Sequence, residues 1–212
     1  MRMFLPELNL KQARQYSVSS APGNEYYRIS VKREKGPNLD TDGMISNHLH
    51  NFINENDLVD LTAPAGNFTL MKDMDAPVTL ISGGVGLTPL MSMLHSLVES
   101  DYPHPITWLH GCRNESVHAF KDQLDEIVST KANINQHVFY NQATDDNVEA
   151  GVLEGHLDIN KIPSLNLQPD AHYFICGPSV FIQKQYQDLV TAGVNKQNIY
   201  FEEFGPQVLQ LN

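Results

Sequence analysis

Hydrophobic and polar positions follow one rhythm before about residue 73 and another after it. In the first stretch Tyr26, Arg28, Ser30 and Lys32 alternate with Tyr27, Ile29, Val31 and Arg33, the two-residue period of a strand. Pro22, Gly23 and Asn24 separate this run from the preceding ARQYSVSS, which is a hairpin signal. A polar loop over residues 35–43 follows. Ile45, Leu49 and Phe52 then fall on one helical face, predicting a helix over residues 44–52. Residues 57–62 read as a strand, and Pro64, Ala65, Gly66 and Asn67 as a turn before Phe68. The pattern over residues 1–12 is indecisive. Residues 13–71 therefore predict antiparallel β-structure with one short helix. Three or four strands cannot close a barrel; either more of the sheet lies elsewhere or a partner supplies it.

Beyond Asp73 strands and helices alternate. Residues 78–81, 106–110, 135–140, 172–176 and 198–201 read as strands. Residues 119–128 and 179–191 read as helices, and 158–162 as a weaker, shorter one. The 179–191 segment carries Val180, Phe181, Tyr186, Leu189 and Val190 on its apolar face. Strands separated by helices predict βαβ units and a parallel sheet. Ligands of such sheets bind beyond the carboxyl ends of the strands, which singles out residues 83–89, 111–113 and 177–178.

Residues 77–99, PVTLISGGVGLTPLMSMLHSLVE, hold the clearest of these segments. A short apolar run from Val78 to Ile81 reads as a buried strand. Gly83, Gly84 and Gly86 follow, and then an apolar helical face of Leu90, Met91, Met93, Leu94, Leu97 and Val98. Thr88 is expected to cap this helix, with Pro89 at its first position. A strand, a glycine turn and a helix N-terminus suit a phosphate, because the backbone approaches closely and the helix dipole attracts the anion. The pattern Gly84-x-Gly86-x-x-Pro89 lacks the third glycine of the full dinucleotide fingerprint. A purely structural turn is the other reading.

Composition narrows the function classes. With 212 residues and 41% hydrophobic content the chain can bury a core and form one or two domains. A net charge of −11 argues against nucleic acid or an anionic membrane as partner. No apolar run is long enough to span a bilayer and no signal peptide is evident, so a soluble cytoplasmic protein is expected. Cys112 and Cys176 are far apart and read as free thiols. The nine histidines show no ligand spacing, and no metal site is expected.

Nine segments in register carry a family resemblance: Arg14-Gln15-Tyr16-Ser17, VKRE, Ser46-Asn47-His48-Leu49-His50, Pro64-Ala65-Gly66-Asn67-Phe68, ISGGVGLTP, His110-Gly111-Cys112-Arg113-Asn114, His118-Ala119-Phe120, Cys176-Gly177-Pro178 and Phe201-Glu202-Glu203-Phe204-Gly205-Pro206. In this order and spacing the chain resembles the reductase half of the flavohaemoglobins (nitric oxide dioxygenases). More broadly it resembles the ferredoxin-reductase-like FAD/NAD(P)H superfamily. The resemblance covers nearly the whole chain. It implies an α/β fold: a partial antiparallel β-barrel for FAD over residues 1–73, truncated at its N-terminus, then a doubly wound parallel-sheet NAD(P)-binding domain over 74–212.

The resemblance also implies roles. Arg14, Gln15, Tyr16 and Ser17 match the segment that holds FAD, with Arg pairing the pyrophosphate and Tyr packing on the flavin. Ser46 and Asn47 match a second flavin-phosphate segment at a helix N-terminus. Gly84, Val85, Gly86, Leu87, Thr88 and Pro89 match the nicotinamide-dinucleotide phosphate loop. Cys176, Gly177 and Pro178 match the segment beside the nicotinamide, Cys176 as a wall rather than a nucleophile. Phe204, with Gly205 and Pro206, matches the aromatic that lies against the isoalloxazine. Glu202 matches a carboxylate that tunes electron transfer. Gln207, where the family commonly has His, and Glu203, usually apolar, depart from the pattern. The implied chemistry is hydride transfer from NADH or NADPH, with NADH favoured, to FAD, then single electrons to a globin or another acceptor protein. The globin half and its haem are not in this chain, which alone is not expected to oxidise nitric oxide. Two other readings are a truncated reductase fragment inactive alone and a non-catalytic nucleotide-binding module.

Overall fold

The computed structural model describes residues 2–4, 14–36 and 42–204. Gly205 and Pro206 lie outside the described residues. The chain divides into two compact units, Met1–Asn67 and Phe68–Asn212.

In the first unit three short strands, β1 (Arg2–Phe4), β2 (Arg14–Gln15) and β3 (Asp60–Leu61), pair antiparallel in the order β2-β1-β3. β1 forms where the hydrophobic pattern is indecisive. Helix α1 spans Met44–Phe52, as its periodicity predicts. The alternating run over residues 26–33 makes no ladder, only an isolated antiparallel bridge between Val18 and Ile29. Part of its backbone bonding goes to a side chain: the Arg28 N–H donates to Ser20 Oγ at 3.2 Å, while the Arg28 carbonyl accepts from the Ser19 N–H at 2.7 Å. The unit's small core centres on Ile45, with Tyr16, Ile29, Leu49 and Val59 packed around it.

The second unit is a six-stranded, all-parallel sheet. Its strands are β4 (Val78–Gly83), β5 (Ile106–Cys112), β6 (Ile134–Tyr140), β7 (Leu153–Glu154), β8 (His172–Gly177) and β9 (Ile199–Glu203), in the order β7-β6-β5-β4-β8-β9. Helices α2 (Leu87–Glu99), α3 (Lys121–Thr130), α4 (Asp145–Glu149) and α5 (Ser179–Thr191) connect them, and the 158–162 segment is a 3-10 turn at Ile159–Lys161. Each face of the sheet buries its own cluster. Val78, Leu80, Ile106, Trp108, Phe174 and Cys176 pack with α2 and with Leu124 of α3. Ile81, Leu109, Phe139, Tyr173 and Ile175 pack with Ile182 and Leu189 of α5. The period-two alternation sends successive residues of the central strands to opposite covered faces, which is why β4 and β8 are buried almost throughout, whereas β6, nearer the edge, carries Asn135, Gln136 and His137.

The division between units lies six residues before the boundary at 73 that the change of rhythm suggests. Phe68 meets Phe174 edge-on at 6.0 Å between ring centroids, and Leu70 and Met74 pack against the same cluster. Their apolar side chains find their core on the parallel sheet, so they go with it.

One local expectation is corrected. Thr88 does not cap α2. A 3-10 turn over Gly84–Gly86 runs directly into the helix, Gly86 occupies the capping position without a side-chain bond, and Thr88 is buried within the first turn. Pro89 is accommodated because the first-turn N–H groups have no intrahelical acceptor.

Candidate functional site

The strand order reverses beside β4: its partner on one side is β5, the next strand in the chain, and on the other β8. A crevice at such a switch point, beyond the carboxyl ends, is where open α/β sheets take ligands. The Gly84–Gly86 turn leaves β4 at this point, and residues 177–178 leave β8 beside it.

Two glycines set the geometry. Gly86 lies so close to β8 that a Cβ there would fall 2.2 Å from the Cys176 carbonyl oxygen and 2.8 Å from the Gly177 nitrogen. Only glycine lets the two turns approach this closely. Gly84 has φ +54° and nothing within 4 Å of its Cβ position. The turn therefore presents bare backbone to open space at the N-terminus of α2, a helix of 13 residues whose dipole favours an anion.

The chain's last described residues come to the same place. Glu202 pairs with Cys176 and Glu203 with Gly177 across β8 and β9. The Phe204 N–H donates to the Gly177 carbonyl at 3.1 Å, and the Phe204 ring is partly buried against the α2-side cluster. Ser179, at the start of α5, hydrogen-bonds the Glu203 carboxylate. Burial raises the Glu202 carboxyl pKa above its ordinary value. The Cys176 thiol is fully buried in the α2-side cluster, and burial raises its pKa well above the ordinary value. It is the carbonyl of Cys176, not its sulfur, that borders the glycine turn. Gly84, Val85, Gly86, Leu87, Thr88, Pro89, Cys176, Gly177, Pro178, Glu202 and Phe204 are thus brought to one end of one sheet.

Arg14, Gln15, Tyr16, Ser17, Ser46 and Asn47 lie in the first unit. Arg14 and Gln15 are exposed on β2. Tyr16 packs beside Ile45, and burial raises its hydroxyl pKa. Ser46 and Asn47 turn their side chains inward. Ser46 Oγ donates to the Gly43 carbonyl at 3.0 Å and accepts from the Glu34 N–H at 3.2 Å. Asn47 Nδ2 donates to the Glu34 carbonyl at 2.8 Å. These bonds tie the N-terminus of α1 to the Glu34 segment. A Cβ on Gly43 would meet Ser46 Oγ at 2.6 Å, so the tie requires glycine there.

A cavity of about 280 Å³ at the other end of the sheet is lined by Leu97, Tyr102, Ile106, Lys131 and Asn133. It sits at the amino ends of β5 and β6, away from both glycine turns, and the fold offers no ligand-binding logic for it. Among the described residues no helix is long and apolar enough to cross a membrane.

Residues 80–187 match the oxidoreductase NAD-binding domain family, and this stretch contains the glycine turn, α2 and the Cys176–Gly177 edge. The chain belongs to the oxidoreductase NAD-binding domain family. Beyond the stretch that defines this oxidoreductase NAD-binding domain, the likeness extends along nearly the whole chain. A Flavohemoprotein of Bordetella pertussis is 43% identical over 209 residues, 97% of this chain and 51% of the relative. This chain therefore spans about half the length of that curated relative. The solved Flavohem-like FAD/NAD binding domain of nitric oxide dioxygenase from Vibrio cholerae superposes with a TM-score of 0.84 at 35% identity, covering 97% of this chain and 83% of that one. A flavohemoglobin from Malassezia yamatoensis, solved with FAD and heme, gives 0.73 at 25% identity, covering 92% of this chain and 47% of that one.

A polar group in the oxidoreductase NAD-binding domain has no role in the sequence reading. Ser82 Oγ and His110 Nδ1 lie 2.8 Å apart, His110 stacks on His118 at 4.6 Å, and His118 Nδ1 lies 2.8 Å from the Tyr140 hydroxyl. Burial holds the His110 pKa down at about 3 and that of His118 at about 4. The available signal was His110 itself, a titratable residue in the middle of a strand whose neighbours are apolar.

Proposed function

We propose that this chain is the reductase part of a flavohaemoprotein-type system, binding FAD and NAD(P)H and delivering electrons from the nicotinamide nucleotide to an acceptor. The observation that carries the reading is the close seat of Gly86 on the Cys176 carbonyl, which exposes bare backbone at the α2 N-terminus where the strand order reverses. The likeness to the Vibrio cholerae domain supports it.

The residues fit the two nucleotides. In the second unit, the Gly84–Gly86 turn and the first turn of α2 would hold the dinucleotide pyrophosphate by backbone N–H groups and the helix dipole. Gly177 and Pro178 would border the nicotinamide, with the Phe204 N–H bond to the Gly177 carbonyl fixing that edge. In the first unit the donor set suits an anionic flavin nucleotide: the exposed Arg14 guanidinium for phosphate, the Gln15 amide and Ser17 hydroxyl for polar edges, and Tyr16 for a ring face. Ser46 and Asn47 would act indirectly, by holding the α1 N-terminus in place for a phosphate. FAD, when bound, supplies the acceptor for a hydride and the release of its electrons singly to a haem or another acceptor. The protein's part is to align the reacting rings and keep water out. Glu202, whose carboxyl pKa burial raises, would temper charge at the carboxyl end of the sheet. NADH is the favoured donor: Arg113 is the one cation in the 111–113 segment, and the net charge of −11 disfavours a further phosphate. A globin or another electron-acceptor protein is the proposed partner, in the cytoplasm.

The test is a titration of the purified chain with FAD, followed by flavin fluorescence, then addition of NADH. Saturable binding at micromolar or lower FAD and bleaching of the flavin absorbance by NADH are expected. A chain that binds nicotinamide nucleotide yet leaves added FAD oxidised would overturn the reductase reading.

A further inference from the structure

We propose that Ser82, His110, His118 and Tyr140 form an internal brace that sets the glycine turn for nucleotide binding, with His110 as a positioning residue. The proposal rests on the reading of the turn as a dinucleotide site.

The four side chains line the α2/α3 face of the sheet at the carboxyl ends of three neighbouring strands. Ser82 is in β4, His110 opposite it in β5, and Tyr140 at the end of β6. His118 comes from the β5–α3 connection. Ser82 is two residues before Gly84, and its other neighbour across the sheet is Cys176, whose carbonyl seats Gly86. Whatever fixes Ser82 fixes the point from which the turn departs.

The Ser82 hydroxyl lies within bonding distance of the Leu109 carbonyl, at 3.2 Å, and of His110 Nδ1, at 2.8 Å. In the brace the hydroxyl donates to the carbonyl, and His110 donates from Nδ1 to Ser82 Oγ as a neutral ring with its lone pair on Nε2. Among the described residues that Nε2 has no hydrogen-bond partner, although His110 is fully buried. His118 covers the ring, stacked at 25° between planes, and is itself held by Tyr140.

A buried nitrogen without a partner costs stability. An aliphatic side chain of similar size would fill the space between Ser82 and His118 without that cost. The imidazole is therefore poorly explained as core packing. It is well explained by what only it does there: one N–H aimed at Ser82, on a flat ring clamped by a second ring.

The experiment compares His110→Leu, His110→Asn and Ser82→Ala with the wild-type chain, reading NADH affinity, FAD affinity and melting temperature. Leucine keeps bulk and removes the N–H. Asparagine carries an amide nitrogen near the position of Nδ1 and so keeps the bond to Ser82. His110→Leu is expected to fold with a melting temperature at or above wild type, and to bind NADH about tenfold more weakly, the loss of one neutral hydrogen bond. FAD affinity stays unchanged, and His110→Asn recovers most of the NADH affinity. Ser82→Ala weakens NADH binding by a similar factor, and the double variant with His110→Leu is no weaker than either single one. Wild-type affinity for NADH in His110→Leu would overturn the brace while leaving the dinucleotide site standing. So would a loss that asparagine does not recover. If His110→Leu fails to fold, Ser82→Ala decides: wild-type NADH affinity overturns the brace. A wild-type chain that binds no NADH overturns the brace and the site together.

Discussion

Replacing His110 with leucine should make the second unit less sensitive to acid. His110 is fully buried, and its pKa is depressed from 6.5 to about 3, by burial first and by the neighbouring His118 second. Between those values the unfolded chain holds a proton that the folded chain does not. Stability is therefore full above about pH 6.5 and falls as the pH falls toward the folded-state value. At about pH 5 the loss attributable to this one residue is about 2 kcal/mol, from about 1.5 pH units at about 1.36 kcal/mol each. His118 acts in the same direction, since burial lowers its pKa too. It is present in both proteins, so its own share cancels in the difference and what remains is His110 together with its coupling to His118. Besides His110 and the Tyr140 hydroxyl, the groups facing His118 are Asp125, Lys121 and Glu115, and of all these only His110 is altered by the substitution. The assay is urea unfolding at about pH 8 and about pH 5, followed by fluorescence of Trp108, the sole tryptophan, buried on the same strand two residues away. Wild type should lose about 2 kcal/mol more than His110→Leu between the two conditions. Equal losses would refute the reasoning, because they would mean that His110 takes up its proton in the folded protein as readily as in the unfolded one.

The two site glycines should respond differently to alanine. Gly86→Ala places a methyl 2.2 Å from the Cys176 carbonyl oxygen, so it should abolish NADH binding and destabilise the second unit by about 1–3 kcal/mol or more, read by calorimetric titration and denaturant unfolding. Gly84→Ala meets no atom but must hold φ +54°, so a cost of about 1–2 kcal/mol with a preserved fold is expected, and a loss as large as that of Gly86→Ala would count against the geometry. Neither Cys112 nor Cys176 should react with a thiol reagent in the native protein, since both are buried and burial raises both thiol pKa values, that of Cys112 to about 11; a fast-reacting thiol before unfolding would contradict this. Leu90→Ala, at a fully buried position of α2, should cost about 2–5 kcal/mol by urea unfolding, with a smaller effect only if the site collapses around the void.

Local chemistry made much of this protein legible without coordinates. The helices Met44–Phe52 and Ser179–Thr191 begin and end where their periodicity says, because an amphipathic stripe is a property of neighbouring residues. The central strand β4 is recognisable as an apolar run because both faces of the sheet are covered there. The glycine turn announces itself by composition. Tertiary structure decided the rest. Among the described residues the 26–33 run has strand alternation yet forms a single bridge, because a ladder needs a partner segment in register, which periodicity along one segment does not specify. Thr88 has the chemistry of a cap but lies inside the first turn, since the 3-10 turn before it carries the helix back to Leu87. Phe68 joins the second unit because its ring finds Phe174, more than a hundred positions later. The need for glycine at 86 comes from a carbonyl ninety residues away. The pairing of Ser82 with His110, and of His118 with Tyr140, likewise exists only once β4, β5 and β6 lie side by side. Periodicity is written in a window of a few residues. Strand order, close approach and the burial of a neutral imidazole depend on contacts between distant positions, which only the folded chain brings together.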